Sequence, residues 1–249
     1  MEILDVRAKL RRVVAEGGPA LVAARAAGVL YRAALCWAGA SKLRRELPAI
    51  ESLDDAIDYA FAFRLDDLII SPTQVRSEIT ELLHPAGRRG RLRAVLEIGT
   101  DSGGTLFLVT RVAEPDAIIV TIDIGHPERA VIYRAFAKDE QRVEMIHADS
   151  HQPRTRDRVK RLCGSRQLDL LFIDGDHSYE GVRRDFELYS PLVGKGGMIA
   201  LHDIVPGPPL LVGGVPRFWQ ELKARYASSC ELVEDRQQGG FGIGVIVWE

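Results

Sequence analysis

The chain has only three cysteines in 249 residues, Cys36, Cys163 and Cys230, far apart and with no CxxC pair. That pattern offers neither a disulfide framework nor a cysteine zinc site, so a reducing, cytoplasmic setting is expected. A bias of charge is missing as well: the net charge is -2 with 27% charged residues, which gives no global attraction to nucleic acid or to an anionic membrane. Two basic clusters, at 88–93 and 154–166, read as a solvated loop and a solvated helix face. No uninterrupted apolar run is long enough to span a bilayer. Residues 20–40 come nearest, but Arg25 and Arg32 interrupt them, so stable membrane insertion is not expected. The opening MEILDVRAKLRR is charged and amphipathic, without the apolar centre of a leader. Absent too is the GxGxxG of a dinucleotide fold, which argues against a nicotinamide oxidoreductase.

What the chain does have is periodicity of two kinds. Residues 1–73 are mainly helical in pattern and read as an N-terminal extension that packs on the rest or on a second subunit, so a homo-oligomer is expected. A helix is predicted from a capping start at Ser52 to about Phe63, and another over 74–83 that ends at His84-Pro85. From Arg93 onward, short β-branched runs alternate with helical segments, the signature of a parallel sheet. Strands are predicted at 93–98, 117–123, 142–147, 168–173 and 197–202, with helices at 104–113, 128–139, 153–163 and 179–190. Residues 194–197 (GKGG) read as a turn, 203–216 as a lid-like loop, Phe218–Tyr226 as a helix, and two closing antiparallel strands end the chain. The expected architecture is α/β: a Rossmann-like, seven-stranded, mostly parallel sheet with helices on both faces, occupying 74–249.

The most informative stretch is LDLLFIDGDHSYEG, residues 168–181. A near-continuous apolar run stops on Asp174, Asp176 and His177, at the carboxyl end of a strand, where open α/β sheets bind ligands. The alternative is that Asp174, Asp176 and Ser178 only turn the chain and cap the next helix. A second such place is LEIGTDSGG, residues 96–104, between strand and helix. Its acid, Glu97, disfavours a diphosphate and suits a cationic ligand. Asp123 ends the second strand, where a carboxylate would hold ribose hydroxyls, and Asp149 and Ser150 end the third, where an adenine ring would lie. His147 is read as a core histidine, and Trp37, Trp219 and Trp248 as packing residues.

The segments VLEIGTDSGG, VTIDI, HADSH, LFIDGDHSYEGV, GGMIALHDI and GIGVIV occur in an order and spacing that resembles the class I S-adenosylmethionine-dependent methyltransferases, over about 74–248. The resemblance implies S-adenosylmethionine as cofactor, bound by Glu97, Gly99, Thr100, Ser102 and Gly103 at the methionine part, Asp123 at the ribose, and Asp149, Ser150 and Asp174 toward the adenine and the reacting end.

Within that superfamily the chain is similar to sugar and natural-product O-methyltransferases and cephalosporin-hydroxylase-like proteins. This implies a divalent cation, magnesium or manganese, held by Asp174 and the pair His202-Asp203, with His177 as base. The chemistry is consistent, because a sugar hydroxyl is a poor nucleophile until a cation acidifies it or an imidazole takes its proton. One position departs from relatives: His202 stands where they carry glutamate, and imidazole suits manganese or zinc better than magnesium. The acceptor expected is a saccharide or glycosylated small molecule. A catechol-like phenol is the alternative acceptor, and a non-catalytic cofactor-binding protein the alternative outside catalysis.

Overall fold

A computed structural model describes the backbone of residues 2–89 and 92–249, and the side chains of 23–84 and 92–249. The basic cluster at 88–93 lies largely outside the described side chains. Seven strands form one sheet: β1 (Ala94–Ile98), β2 (Ile118–Asp123), β3 (Arg142–His147), β4 (Leu168–Ile173), β5 (Val193–His202), β6 (Ser229–Leu232) and β7 (Ile243–Val247), in the order β3-β2-β1-β4-β5-β7-β6. The first five are parallel and β7 pairs antiparallel with both β5 and β6. The order reverses between β1 and β4, so the loops leaving these two strands diverge and open a crevice at their carboxyl ends.

Burial explains the sequence pattern. β1 is buried at all five positions, and its residues alternate between two apolar layers: Ala94, Leu96 and Ile98 on one face, Val95 on the other. Glu97 follows Val95 by two residues and therefore points to the same face. The face carrying Val95 is covered by α1 (Glu2–Glu46), α2 (Leu53–Ala62), α3 (Arg76–Arg89), α4 (Gly104–Val112) and α5 (Ala130–Ala135). The other is covered by α6 (Pro153–Cys163), α7 (Tyr179–Tyr189) and α9 (Val215–Arg225), with the one-turn α8 (Pro209–Val212) in the lid-like loop.

The N-terminal extension shares its core with the sheet. Cys36, Ala40 and Leu43 of α1, Ile57 of α2 and Ile79 of α3 are buried in the same cluster as Val95 and Phe172. Farther toward the amino terminus α1 exposes Val29, Leu30 and Tyr31, and Trp37 stands on its outer face between the buried Cys36 and Ala40. Trp37 is thus a surface residue, not the packing residue its chemistry suggested. The predicted start of α2 holds: the Ser52 hydroxyl accepts from Asp55 N, and the Asp55 carboxylate accepts from Ser52 N.

Three local expectations change. The third helix continues past Pro85 to Arg89, absorbing the one helical hydrogen bond that proline forfeits. The helix expected at 128–139 is only Ala130–Ala135, preceded by a 3-10 turn at Pro127–Arg129, and Asp139 adopts a left-handed φ of 54°. Residues 194–197 are not a turn ahead of β5 but part of it. Pairing with β4 jumps from Leu168↔Val193 to Leu170↔Met198, so the glycines form a bulge. Among the described residues no helix is long and apolar enough to cross a membrane.

Candidate functional site

A cavity of about 750 Å³ opens at the carboxyl ends of β1, β2, β3 and β4. Gly99, Thr100 and Ser102 line it after β1, Asp123 after β2, Asp149, Ser150 and His151 after β3, and Asp174 after β4. Gly99 is required by geometry. Its φ is +86°, and a Cβ there would lie 1.9 Å from the carbonyl oxygen of Asp174. The backbones of the two diverging loops touch at this point.

Asp123 is fixed by backbone N–H groups. Thr100 N and Asp101 N donate to its Oδ2 at 2.8 and 3.1 Å, and Gly125 N donates to Oδ1 at 2.6 Å. Asp149 accepts from His151 N and from the Gln152 side chain, and these bonds hold its carboxyl below the usual range. Two of the predicted residues stand behind the wall. Gly103 takes the left-handed amino-cap position of α4 against the Tyr133 ring, and Glu97 is 2% exposed. Thr121 Oγ donates to Glu97 Oε2 at 2.8 Å and is itself hydrogen-bonded to Thr100 Oγ, so a hydroxyl relay joins the buried acid to the cavity. Burial pushes the Glu97 carboxyl well above its ordinary range against the Thr121 bond, and Asp174 and Asp123 add to the rise.

The strongest constellation forms where β4 and β5 end. His202 Nδ1 stands 3.3 Å from Asp174 Oδ1 and 3.5 Å from Asp203 Oδ2. His177 Nε2 is 3.3 Å from the same Asp174 oxygen, and its Nδ1 is 3.4 Å from Asp203 Oδ2. Two imidazoles and two carboxylates thus interleave. Asp203 reaches this arrangement through a left-handed φ of 60°, with Phe241 N donating to its Oδ1 at 3.0 Å. The lid holds His177 in place: Leu211 O accepts from Nδ1, and Gly214 N donates to His177 O at 2.7 Å.

The electrostatics follow from this packing. Burial would raise the Asp174 carboxyl, but His202 and His177 overcome that and hold it below its usual value. The hydrogen bond to Asp174 lifts His177 to about 9 against partial burial, aided by Leu211 O and Asp203. His202 is raised to about 10 although burial opposes it, because both carboxylates face it. Ligand atoms of Asp174, His177 and Asp203 lie within 4.8 Å of one another, a set able to hold a metal ion. His202 faces the same carboxylates through Nδ1, while its buried Nε2 has no hydrogen-bond partner. Oxygen and nitrogen donors at this spacing fit a divalent cation of the magnesium-to-zinc range.

The capping alternative for the β4 loop is right for part of it. Ser178 caps α7 by accepting from Gly181 N, and Asp176 accepts from Ser178 N, whereas Asp174 takes no part in the cap. His147 is exposed, with Nε2 2.9 Å from Ile124 O, so it is not a core histidine. Trp219 is fully buried and Trp248 packs against Phe186 and Tyr226. Gln74 was not singled out from sequence. It is buried on the cavity wall, where Nε2 donates to Asp174 Oδ2 at 2.8 Å and Oε1 accepts from Thr105. The sequence signal for it is slight: it lies two residues ahead of the helix that precedes β1.

Comparison with known proteins agrees with this geometry. Residues 96–204 match a family model described as a methyltransferase domain. The O-methyltransferase TomG of Streptomyces achromogenes, involved in tomaymycin synthesis and solved with SAM, superposes with a TM-score of 0.54 at 22% identity, covering 82% of this chain and 94% of TomG. An O-methyltransferase from Bacillus cereus in complex with SAH gives 0.50 at 23% identity, with 78% and 90% covered. Cofactor-bound Rv0187 from MTB gives 0.53 at 20%, with 80% and 89% covered. At these identities the likeness establishes the fold. A stretch of 36 residues is 56% identical to uncharacterized protein R132 of Acanthamoeba polyphaga mimivirus, spanning 14% of this chain and 16% of that protein.

Proposed function

We propose that this chain, which carries a methyltransferase domain over residues 96–204, is an S-adenosylmethionine-dependent O-methyltransferase acting on a hydroxyl of a sugar or glycosylated small molecule. The observation that carries the reading is the meeting of Asp174, His177, His202 and Asp203 beside a cavity at the sheet's switch point. The cofactor supplies an electrophilic methyl group on a sulfonium sulfur. The wall residues Thr100, Asp123 and Asp149 would hold it, with Asp174 toward its reacting end. With the cofactor bound, transfer of its methyl group to an acceptor hydroxyl would release the thioether, and His177 would be placed to take the hydroxyl proton. Alignment of the two reactants then supplies much of the rate.

A base needs a free lone pair, and His177 has oxygen acceptors at both ring nitrogens. A divalent cation held by Asp174 and Asp203, with His202 beside them, would remove the carboxylates' hold on the second proton. Cation and base are therefore linked. Isothermal titration with S-adenosylmethionine tests the first half; no binding at millimolar cofactor would overturn it. For the second half, His177→Ala is expected to keep cofactor affinity within a few-fold and to lose turnover by about a hundred-fold or more. Loss of manganese binding in the same variant would make His177 a ligand instead of the base.

A second acceptor class has structural support. Phe241, 39% exposed, lies 6.1 Å from the His202 ring, and Leu210 and Leu211 are exposed beside His177. Such an apolar rim suits a phenol. Turnover of a catechol in preference to glycosides would decide for it.

A further inference from the structure

The proposed chemistry leaves unused a pair of side chains below the far end of the cavity. Asp185, on α7, is 0% exposed, and neither carboxylate oxygen makes a well-formed hydrogen bond among the described residues, although the Ser150 hydroxyl is close enough to favour its ionised form. The nearest counter-charge is His151, whose Nε2 stands 3.6 Å from Asp185 Oδ1 and is likewise buried without a partner. The other nitrogen of this ring, Nδ1, lies 3.8 Å from Asp149 Oδ1. His151 also lines the cavity, together with Ser150, Gly175 and Asp176. A wholly buried carboxylate with empty acceptor sites is costly, and it is kept beside the part of the wall that ends β3.

At 3.6 and 3.8 Å the His151 ring lies between two carboxylates at ion-pair and not hydrogen-bond separation. We propose that Asp185 and His151 are a positioning pair for the adenosyl end of the cofactor, in which the buried carboxylate fixes the His151 ring against Asp149. The charge on the Asp185 carboxylate then sets how tightly that end is bound. The inference rests on the methyltransferase reading, since that reading supplies the ligand.

The groups facing Asp185 are Asp149, Ser150 and His151 from the loop after β3, Asp176 from the loop after β4, and Tyr189 from its own helix. Arg156 of α6 acts on Tyr189. Burial, with Asp176 and Asp149 nearby, lifts Asp185 to about 6, while Ser150 and His151 pull the other way. Acidification through that range therefore neutralises the carboxylate and releases the ring.

The test is titration of the full chain with S-adenosylhomocysteine between pH 5 and 8. Wild type is expected to lose about five-fold in affinity on going from pH 7.5 to 5, the effect of about one pK unit of coupling. Asp185→Asn and His151→Gln should each bind about ten-fold more weakly at pH 7.5 and lose that pH dependence. Glu97 is present in all three proteins, so the difference between profiles reports the pair. His151→Gln changes a partly exposed residue and keeps the test available if Asp185→Asn fails to fold. Variants with wild-type affinity and an unchanged profile would overturn the pair alone; no binding by wild type at any pH would overturn the cofactor reading and the pair with it.

Discussion

The side-chain amide of Gln74 donates to Asp174 Oδ2 at 2.8 Å across a hundred residues of chain, leaving Oδ1 to face both imidazoles. The segment just ahead of the third helix thereby sets the rotation of the carboxylate that follows β4. Gln74→Leu keeps the volume but leaves Asp174 Oδ2 and the Thr105 hydroxyl without their partner. A stability loss of about 1–3 kcal/mol is expected, measured by urea unfolding. A greater than ten-fold fall in turnover at saturating cofactor should accompany it, because geometry at Asp174 is lost. A loss of stability with full turnover would make Gln74 a packing residue only.

The histidine pair should give the protein a basic limit to its stability. Both folded-state values are raised, to about 9 for His177 and about 10 for His202, above the ordinary value of 6.5. The folded state therefore holds extra protons above pH 6.5, and the stability they bring is full below that and lost as pH rises through 9 and 10. His202→Gln leaves His177 as the remaining counter-charge between Asp174 and Asp203, which should cost about 1–3 kcal/mol at pH 7.5. In guanidinium unfolding the gap between wild type and variant should narrow as pH rises from 6.5 and be smallest above pH 10. A gap that does not change with pH would mean His202 is neutral.

Divalent cations should shift the acid limb of the pH–rate profile. With a chelator, His177 stays protonated until pH approaches 9, so turnover rises over that range. With manganese in excess the two carboxylates are neutralised, and the limb should move down by more than one pH unit. Superimposable profiles with and without metal would remove the cation from the mechanism.

Gly99→Ala should be more damaging than either side-chain change. The new Cβ meets the backbone of Asp174, not the end of a flexible side chain, and φ is left-handed. Relief requires the β1 and β4 loops to separate, breaking the hydrogen bond Asp174 N→Ile98 O that joins them. A cost above about 3 kcal/mol and loss of cofactor binding are expected, read by circular dichroism and titration.

The parallel strands were legible because burial on both faces writes an unbroken apolar run, as in residues 168–173. Their ends located Asp123, Asp149 and Asp174 for the same reason. Periodicity fails where a residue's role is set from elsewhere in the chain. Gln74 carries no apolar signal, and its partner is a hundred residues away. Glu97 was expected on the cavity wall, but strand alternation turns it toward Thr121, which a motif does not reveal. Nor does the sequence distinguish Trp37, on the exposed part of a helix, from Trp219, fully buried in the core.

Asp185 gives the sharpest test of burial because the sign of its effect is unusual. Its folded-state value is raised to about 6 from 3.8, chiefly by burial. For an acid this means that the folded state binds the proton more tightly than the unfolded one. Stability is then highest below pH 3.8, as far as this group is concerned, and falls as pH rises through 6. A shift of this size corresponds to about 3 kcal/mol at pH 8. Asp185→Asn removes the charge at nearly constant shape, so the variant should be more stable than wild type at pH 8 by up to that amount. The advantage should vanish near pH 4, and chemical unfolding at the two pH values measures it. A variant less stable than wild type at pH 8 would show that His151 more than offsets the burial of the Asp185 charge.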